Sequence, residues 1–157
     1  MLNGPGLRTV LWVAGCNHNC KACQNPVTWD PDGGLYFDGK AWNELFYWLD
    51  KDYCSGLTLS GGDPLYCNNI YEIFDLLVEF KEKFPDKNIW LYTGYTYEEI
   101  IKNKSLMMIM KYVDVLVDGK FVKELADFNY KWAGSINQRV IDMQESIKQN
   151  KLIFHKS

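Results

Sequence analysis

No stretch of this chain approaches the roughly 18 consecutive apolar residues of a bilayer-crossing helix, and no basic-then-apolar leader opens it. Neither a membrane span nor a secretory signal is therefore expected. Basic charge is not in excess either: 17 Lys and Arg face 20 Asp and Glu, for a formal net charge of −3. That balance gives no electrostatic basis for nucleic acid or an anionic membrane as the main partner. Linkers, repeats and low-complexity tracts are missing, and 157 residues is the length of one ordinary domain, so a single domain over residues 1–157 is expected. Histidine is scarce: there are two, neither beside a candidate nucleophile, which leaves triad-type hydrolase chemistry unsupported. Cysteine numbers five, an odd count with three of them clustered. That fits a reducing cytoplasm and a metal better than a secreted disulfide framework.

What is present is an alternation of two apolar patterns. Short buried-strand runs lie at Thr9–Ala14, Gly56–Ser60, Asn88–Thr93 and Val113–Asp118, with a fifth short strand at Gln138–Ile141. Amphipathic helical runs lie between them. In Ala41–Asp50 the residues Trp42, Leu45, Phe46 and Leu49 share one face, and in Asn69–Lys83 so do Ile70, Ile73, Phe74 and Leu77. Tyr97–Ile101 and Leu106–Tyr112 form a weaker helical region, and Met143–Asn150 a last helix before an apolar tag, Leu152–Phe154. Strand alternating with helix argues for an α/β fold with parallel strands and right-handed crossovers. Five strands cannot close the eight-unit barrel of about 250 residues, so an open, partial parallel β/α barrel is expected.

The first four strands all end in glycine and polar groups: Gly15, Gly61-Gly62-Asp63, Thr93-Gly94 and Asp118-Gly119. Parallel α/β sheets bind ligands at the carboxyl ends of their strands. Four turns are thus expected to converge on one site. The first of them leads into the densest chemistry of the chain, GCNHNCKACQNPVTW, where Cys16, Cys20 and Cys23 follow a Cys-x3-Cys-x2-Cys spacing.

Four readings of these thiols compete. Structural zinc needs a fourth ligand, from His18, Cys54 or Cys67, and His18 is cramped between its neighbours. A redox pair Cys20-Lys21-Ala22-Cys23 leaves Cys16 surplus. Buried inert thiols fit poorly in a loop that carries Asn17, His18, Asn19 and Lys21. An iron–sulfur cluster normally takes four thiolates; a loop that supplies three leaves one iron open, and an open position is the mark of a catalytic rather than a structural metal.

The spacing, placed after a first strand, resembles the radical S-adenosylmethionine superfamily. The segment NGPGLR (Asn3–Arg8) followed by the cysteine loop resembles the glycyl-radical-enzyme activases. The further blocks LTLSGGDPLY, LYTGYTYEEI, VDVLVDGKF and GSINQRVIDMQESI are similar to the activases of anaerobic (class III) ribonucleotide reductases. Those activases usually carry more residues before the Asn-Gly-Pro-Gly segment than Met1-Leu2.

The resemblance implies a radical SAM fold and two cofactors, a [4Fe-4S] cluster held by Cys16, Cys20 and Cys23, and S-adenosylmethionine on the open iron. One electron into the sulfonium would yield methionine and a 5′-deoxyadenosyl radical, which takes a hydrogen atom from a glycine of the partner reductase. A low-potential electron donor is implied as a second partner. Gly61-Gly62-Asp63 corresponds to the segment that receives the methionine amino group, with Asp in place of the commoner Glu; alternatively, Asp63-Pro64 caps the next helix. Ala22 stands where an aromatic residue often packs on adenine, so backbone groups of Ala22 and Gln24 beside Cys23 are left for the adenine edge, with Trp29 as a source of aromatic surface or a core residue. Thr93, Gly94 and Asp118 are candidates for the ribose, the methionine carboxylate or a cation, or else for turns and caps. Arg139 either pairs with a carboxylate or is solvated. Cys54 and Cys67 read as buried inert thiols, and His155 as a surface residue. The aromatic residues Trp42, Tyr47, Trp48, Tyr95 and Tyr97 exceed what a core of this size needs and are candidates for a docking surface. The rival functions are activation of another glycyl radical enzyme, of the pyruvate formate-lyase type, and a non-catalytic metal-binding module.

Overall fold

The computed structural model describes residues 3–16, 18, 30–32 and 37–156. The elements run β1 (Leu7–Val13), α1 (Gly39–Leu49), β2 (Cys54–Gly61), α2 (Ile70–Lys83), β3 (Asn88–Tyr92), α3 (Tyr97–Ile101), α4 (Lys104–Met110), β4 (Val115–Asp118), a single 3-10 turn at Lys123–Leu125, β5 (Arg139–Asp142) and α5 (Met143–Gln149). The expected elements are present, with ends shifted by up to two residues. Among the described residues the five strands form one open sheet in sequential order, β1-β2-β3-β4-β5.

The first three pairings are parallel, with Val13 opposite Gly61, Leu59 opposite Leu91 and Tyr92 opposite Val117. The fourth is antiparallel, with Asp118 opposite Arg139, which corrects the expectation of an all-parallel sheet. A parallel return needs a crossover of a dozen or more residues, usually a helix. Between β4 and β5 the chain makes only the 3-10 turn, so it doubles back at the end of the sheet.

The sheet is clothed differently on its two faces. Leu57, Leu59, Ile89, Leu91, Leu116 and Ile141 pack against Leu45 and Leu49 of α1, Ile73, Leu77 and Phe80 of α2, and Ile109 and Met110 of α4. Each such side chain fully buried contributes about 1.5–3 kcal/mol, so this layer dominates stability. On the opposite face Trp90, Tyr92, Val115 and Val117 are covered by Trp132 and Ala133 of the β4–β5 connection.

The helices start where side chains satisfy their first N–H groups. Asp38 accepts from Ala41 N–H at the head of α1, Asn103 caps α4, and Thr96 with Glu99 forms a complete capping box on α3. No helix among the described residues is long and apolar enough to cross a membrane.

Candidate active site

The four glycine-bearing turns do meet at the carboxyl edge of the parallel strands. Gly62 N–H donates to Val13 O (2.7 Å) and Asp63 N–H to Gly15 O (2.7 Å), which ties the β2 turn to the β1 turn. Thr93 N–H donates to Val117 O (3.0 Å) and Gly119 N–H to Tyr95 O (3.1 Å), which ties β3 to β4.

Asp63 is the centre of this edge, with 1% of its surface exposed. Its Oδ1 accepts from Leu65 N–H (2.9 Å) and from the Thr93 hydroxyl (2.8 Å). Its Oδ2 lies 2.9 Å from the same hydroxyl, 3.0 Å from Gly94 N–H and 2.6 Å from His18 Nε2. The bond to Leu65 forms a local turn; α2 begins only at Ile70, so Asp63 does not cap that helix. Asn69, which precedes α2, instead donates from Nδ2 to Ala14 O (2.8 Å) and so braces the first turn.

Asp118, also 1% exposed, organises the neighbouring half of the edge. It accepts from Tyr97 N–H (2.7 Å) at the start of α3, and from Arg139 Nε (3.0 Å) and Nη2 (2.5 Å). Arg139 reaches Glu98 as well, at 2.7 and 3.0 Å. The guanidinium is therefore paired rather than solvated, and its own pKa is pushed up by the hydrogen bonds to Glu98 and Asp118. The same contact holds Glu98 down to about 2. A cavity of about 590 Å3 opens beside the cluster, lined among others by Gly94, Glu98, Asp118, Lys120, Asn137 and Arg139.

Cys16 enters this edge directly from Gly15. Cys20 and Cys23 lie outside the described residues, as do Ala22, Gln24 and Trp29. The other two cysteines separate cleanly. Cys54 is buried, as expected, and pairs with Leu7 at the far end of β1. At about 3.3 Å per strand residue that is some 20 Å or more from Cys16, so Cys54 is excluded as a further ligand. Cys67 corrects the expectation of a buried thiol, because it is exposed. It stays close to the edge: burial first, and then the negative groups of Asp63, Cys67 and Cys16, push the Tyr95 phenol up. Among the described residues no group of three or more His, Cys, Asp or Glu is placed to hold a metal ion; Cys16 is the described member of the cysteine motif at this edge.

His18 is the residue that sequence reasoning missed. Considered there only as a cramped metal ligand, it points instead to Asp63, and its ring lies edge-on to Tyr95 at 4.8 Å between centroids. The available signal was topological: loops that follow adjacent parallel strands are neighbours. Among the other candidates, Tyr97 goes into the core, Trp42 packs between Phe37 and Phe46, and Tyr47 and Trp48 are exposed. His155 is half-buried against Trp90, which corrects its reading as a surface residue.

A family model described as a 4Fe-4S single cluster domain matches residues 2–141. The chain is similar to the anaerobic ribonucleoside-triphosphate reductase-activating protein of Enterobacteria phage T4, 49% identical over 139 residues that cover 88% of this chain and 86% of that one. It is similar to the protein of the same name from Vibrio cholerae serotype O1, at 41% identity over 88% of this chain and 89% of that one. That of Escherichia coli strain K12 is 39% identical over 89% of this chain and 91% of its own length. No solved structure matches this chain significantly.

Proposed function

This chain belongs to the family of anaerobic ribonucleoside-triphosphate reductase-activating proteins, on a 4Fe-4S single cluster domain, and we propose that it acts by reductive cleavage of S-adenosylmethionine. It is an activating enzyme of the oxidoreductase type with an iron–sulfur cluster as cofactor. Its partner is the anaerobic reductase, in which it generates a glycyl radical.

In this reading Cys16, Cys20 and Cys23 hold the cluster and S-adenosylmethionine takes the iron they leave open. When bound, the pair supplies one-electron cleavage of the sulfonium, ending in removal of a hydrogen atom from a glycine of the reductase. The chain's own residues place and shield that chemistry. Gly61 and Gly62 bring the backbone of the β2 turn to within hydrogen-bonding distance of the β1 turn, and their carbonyls would be the acceptors for an ammonium. The cavity beside Gly94 is lined by Glu98, Glu99 and Asp118 as well as by Lys120 and Arg139, and Arg139 is engaged by Asp118 and Glu98; the cavity's carboxylates would accept from ribose hydroxyls and Lys120 would face a carboxylate. Backbone groups of Ala22 and Gln24, beside Cys23, would be the partners of the adenine edge. Thr93, whose hydroxyl is taken up by Asp63, serves by holding the β3 turn in place.

The sheet is assigned to an open barrel of the radical SAM type that ends at the antiparallel β5. The chain works as one domain, in a cytoplasm whose reducing conditions keep the cysteines as thiols, with a low-potential one-electron donor and with neither nucleic acid nor membrane as a partner.

The observation that supports this reading most is the placement of Cys16 at the edge where four strand-end turns converge beside a polar cavity. The test is anaerobic reconstitution with iron and sulfide. About four irons per chain, a cluster spectrum that responds to S-adenosylmethionine, 5′-deoxyadenosine on reduction, and a glycyl doublet in the paramagnetic resonance spectrum of a mixture with the reductase are expected. A lone zinc ion, or a cluster indifferent to S-adenosylmethionine, overturns the mechanism. Cleavage without a doublet redirects it to another glycyl radical enzyme.

A further inference from the structure

We propose that His18 and Asp63 form a latch that positions the cysteine loop for cluster binding, and that Asp63 is spent on this latch rather than on a ligand. The proposal rests on the reading of Cys16, Cys20 and Cys23 as cluster ligands.

Three observations carry it. The first is the bond itself: His18 Nε2 lies 2.6 Å from Asp63 Oδ2, with 9% and 2% of the two side chains exposed. A buried imidazole between Cys16 and Cys20, in an otherwise polar loop, is fixed by something specific. The second is saturation. A carboxylate offers about four lone-pair positions, and those of Asp63 already face Leu65 N–H, Thr93 Oγ1, Gly94 N–H and His18 Nε2. No acceptor position is left for the ammonium of a substrate. Because Oδ2 already faces a hydroxyl and an amide donor, the ring nitrogen is placed as the third donor. The third is the fit around the ring. A Cβ on Gly94 would fall 2.5 Å from His18 Cδ2 and 2.6 Å from Nε2, so only glycine lets the ring reach the acid. Tyr95 closes the other side edge-on.

The consequence is mechanical. The loop that carries three ligands has one anchor in β1, through Gly15, and gains a second in the β2 and β3 turns through His18. A loop pinned at both places loses less freedom on taking up a cluster, and it resists releasing one. His18 and Asp63 are therefore positioning residues, acting through the cysteines.

The test compares reconstituted wild-type protein with the variants His18→Ala, His18→Gln, Asp63→Asn and the double variant His18→Ala/Asp63→Asn. The readouts are the rate of iron release to a ferrous chelator and the dissociation constant for S-adenosylmethionine on the cluster-loaded fraction. His18→Ala is expected to release iron about tenfold faster or more, the factor implied by losing one hydrogen bond to a charged group. His18→Gln, whose amide N–H reaches a similar place, restores most of the lifetime. The double variant releases iron no faster than the worse single one, because both changes open the same latch. Iron release from His18→Ala at the wild-type rate overturns the latch. So does an Asp63→Asn protein that keeps its iron but loses affinity for S-adenosylmethionine, since that makes Asp63 a ligand. His18 lies in a loop outside the core, so its variants remain informative should Asp63→Asn fail to fold. A wild-type chain that takes up no cluster fails the reading of the three cysteines, a result distinct from failure of the latch.

Discussion

The three described cysteines have the same side chain and three different fates, decided by where the backbone puts them. Cys16 enters the site edge, Cys54 is buried at the opposite end of the sheet, and Cys67 stands exposed near Tyr95. Cys16→Ser is therefore expected to abolish cluster uptake, measured as iron and sulfide per chain after reconstitution. Cys54→Ser and Cys67→Ser are expected to keep the wild-type iron content and the spectral response to S-adenosylmethionine. Loss of iron from Cys67→Ser would make it a cluster ligand.

Gly61 gives a second expectation at the same scale. Its φ is +106°, and a Cβ there would lie 2.5 Å from both the N and the O of Val13, backbone atoms that cannot step aside. Gly61→Ala should lower the stability of the metal-free chain by about 2–3 kcal/mol, read from urea unfolding. The glycines and the ligand spacing were legible in the sequence because backbone approach and thiol ligation each demand one residue type. His18 was not, because a histidine in a polar loop has many uses and the one it has here depends on Asp63, 45 positions away.

At the scale of elements, the informative one is β5. Its existence was legible from Val140 and Ile141, but its direction was not, since alternation marks a strand and not the way it runs. The missing signal was the lack of an amphipathic helical run between Asp118 and Arg139, without which no parallel crossover forms. The reversed direction matters, because it places Arg139 opposite Asp118 at the site edge. Asp118 is buried, so removing its partner leaves an uncompensated charge, which costs about 3–5 kcal/mol. Arg139→Met is expected to lose stability in that range by denaturant unfolding at neutral pH. Arg139→Lys should fall between, because an ammonium cannot make both forked contacts.

The pH dependence follows from the sign of the Glu98 shift. Its carboxyl is held down to about 2 from an ordinary 4.5 by Arg139. The stabilisation is complete above about 4.5 and is lost as the pH falls toward about 2. Glu98 is largely exposed, so solvent screening keeps the effect small. Glu98→Gln should flatten the acid limb of the stability curve within that window, and a curve that keeps its wild-type slope there would assign the acid sensitivity to other carboxylates.

For the molecule as a whole, the question is whether the metal makes the fold or the fold makes the metal site. Small metal-dependent domains are unfolded without their ion, because the ligands are most of the core. Here the core is elsewhere: Leu57, Leu59, Leu91, Leu116 and Ile141 of the sheet pack with Leu49, Leu77, Phe80 and Ile109 of the helices, and Cys16 is not among them. The edge is tied together by Asp63 and Asp118 through side-chain and backbone hydrogen bonds that involve no thiol. Chelation of the cluster is therefore expected to leave the far-ultraviolet circular dichroism essentially unchanged and the unfolding cooperative. Binding to the folded state alone still adds stability by mass action, about 2.7 kcal/mol at a hundredfold excess of ligand over its dissociation constant, so the loaded protein should melt higher. Calorimetry of both forms separates the cases. An apo chain with no cooperative transition would mean that the cysteine loop is part of the folding unit, and the cluster a structural element rather than a catalytic one seated on a finished scaffold.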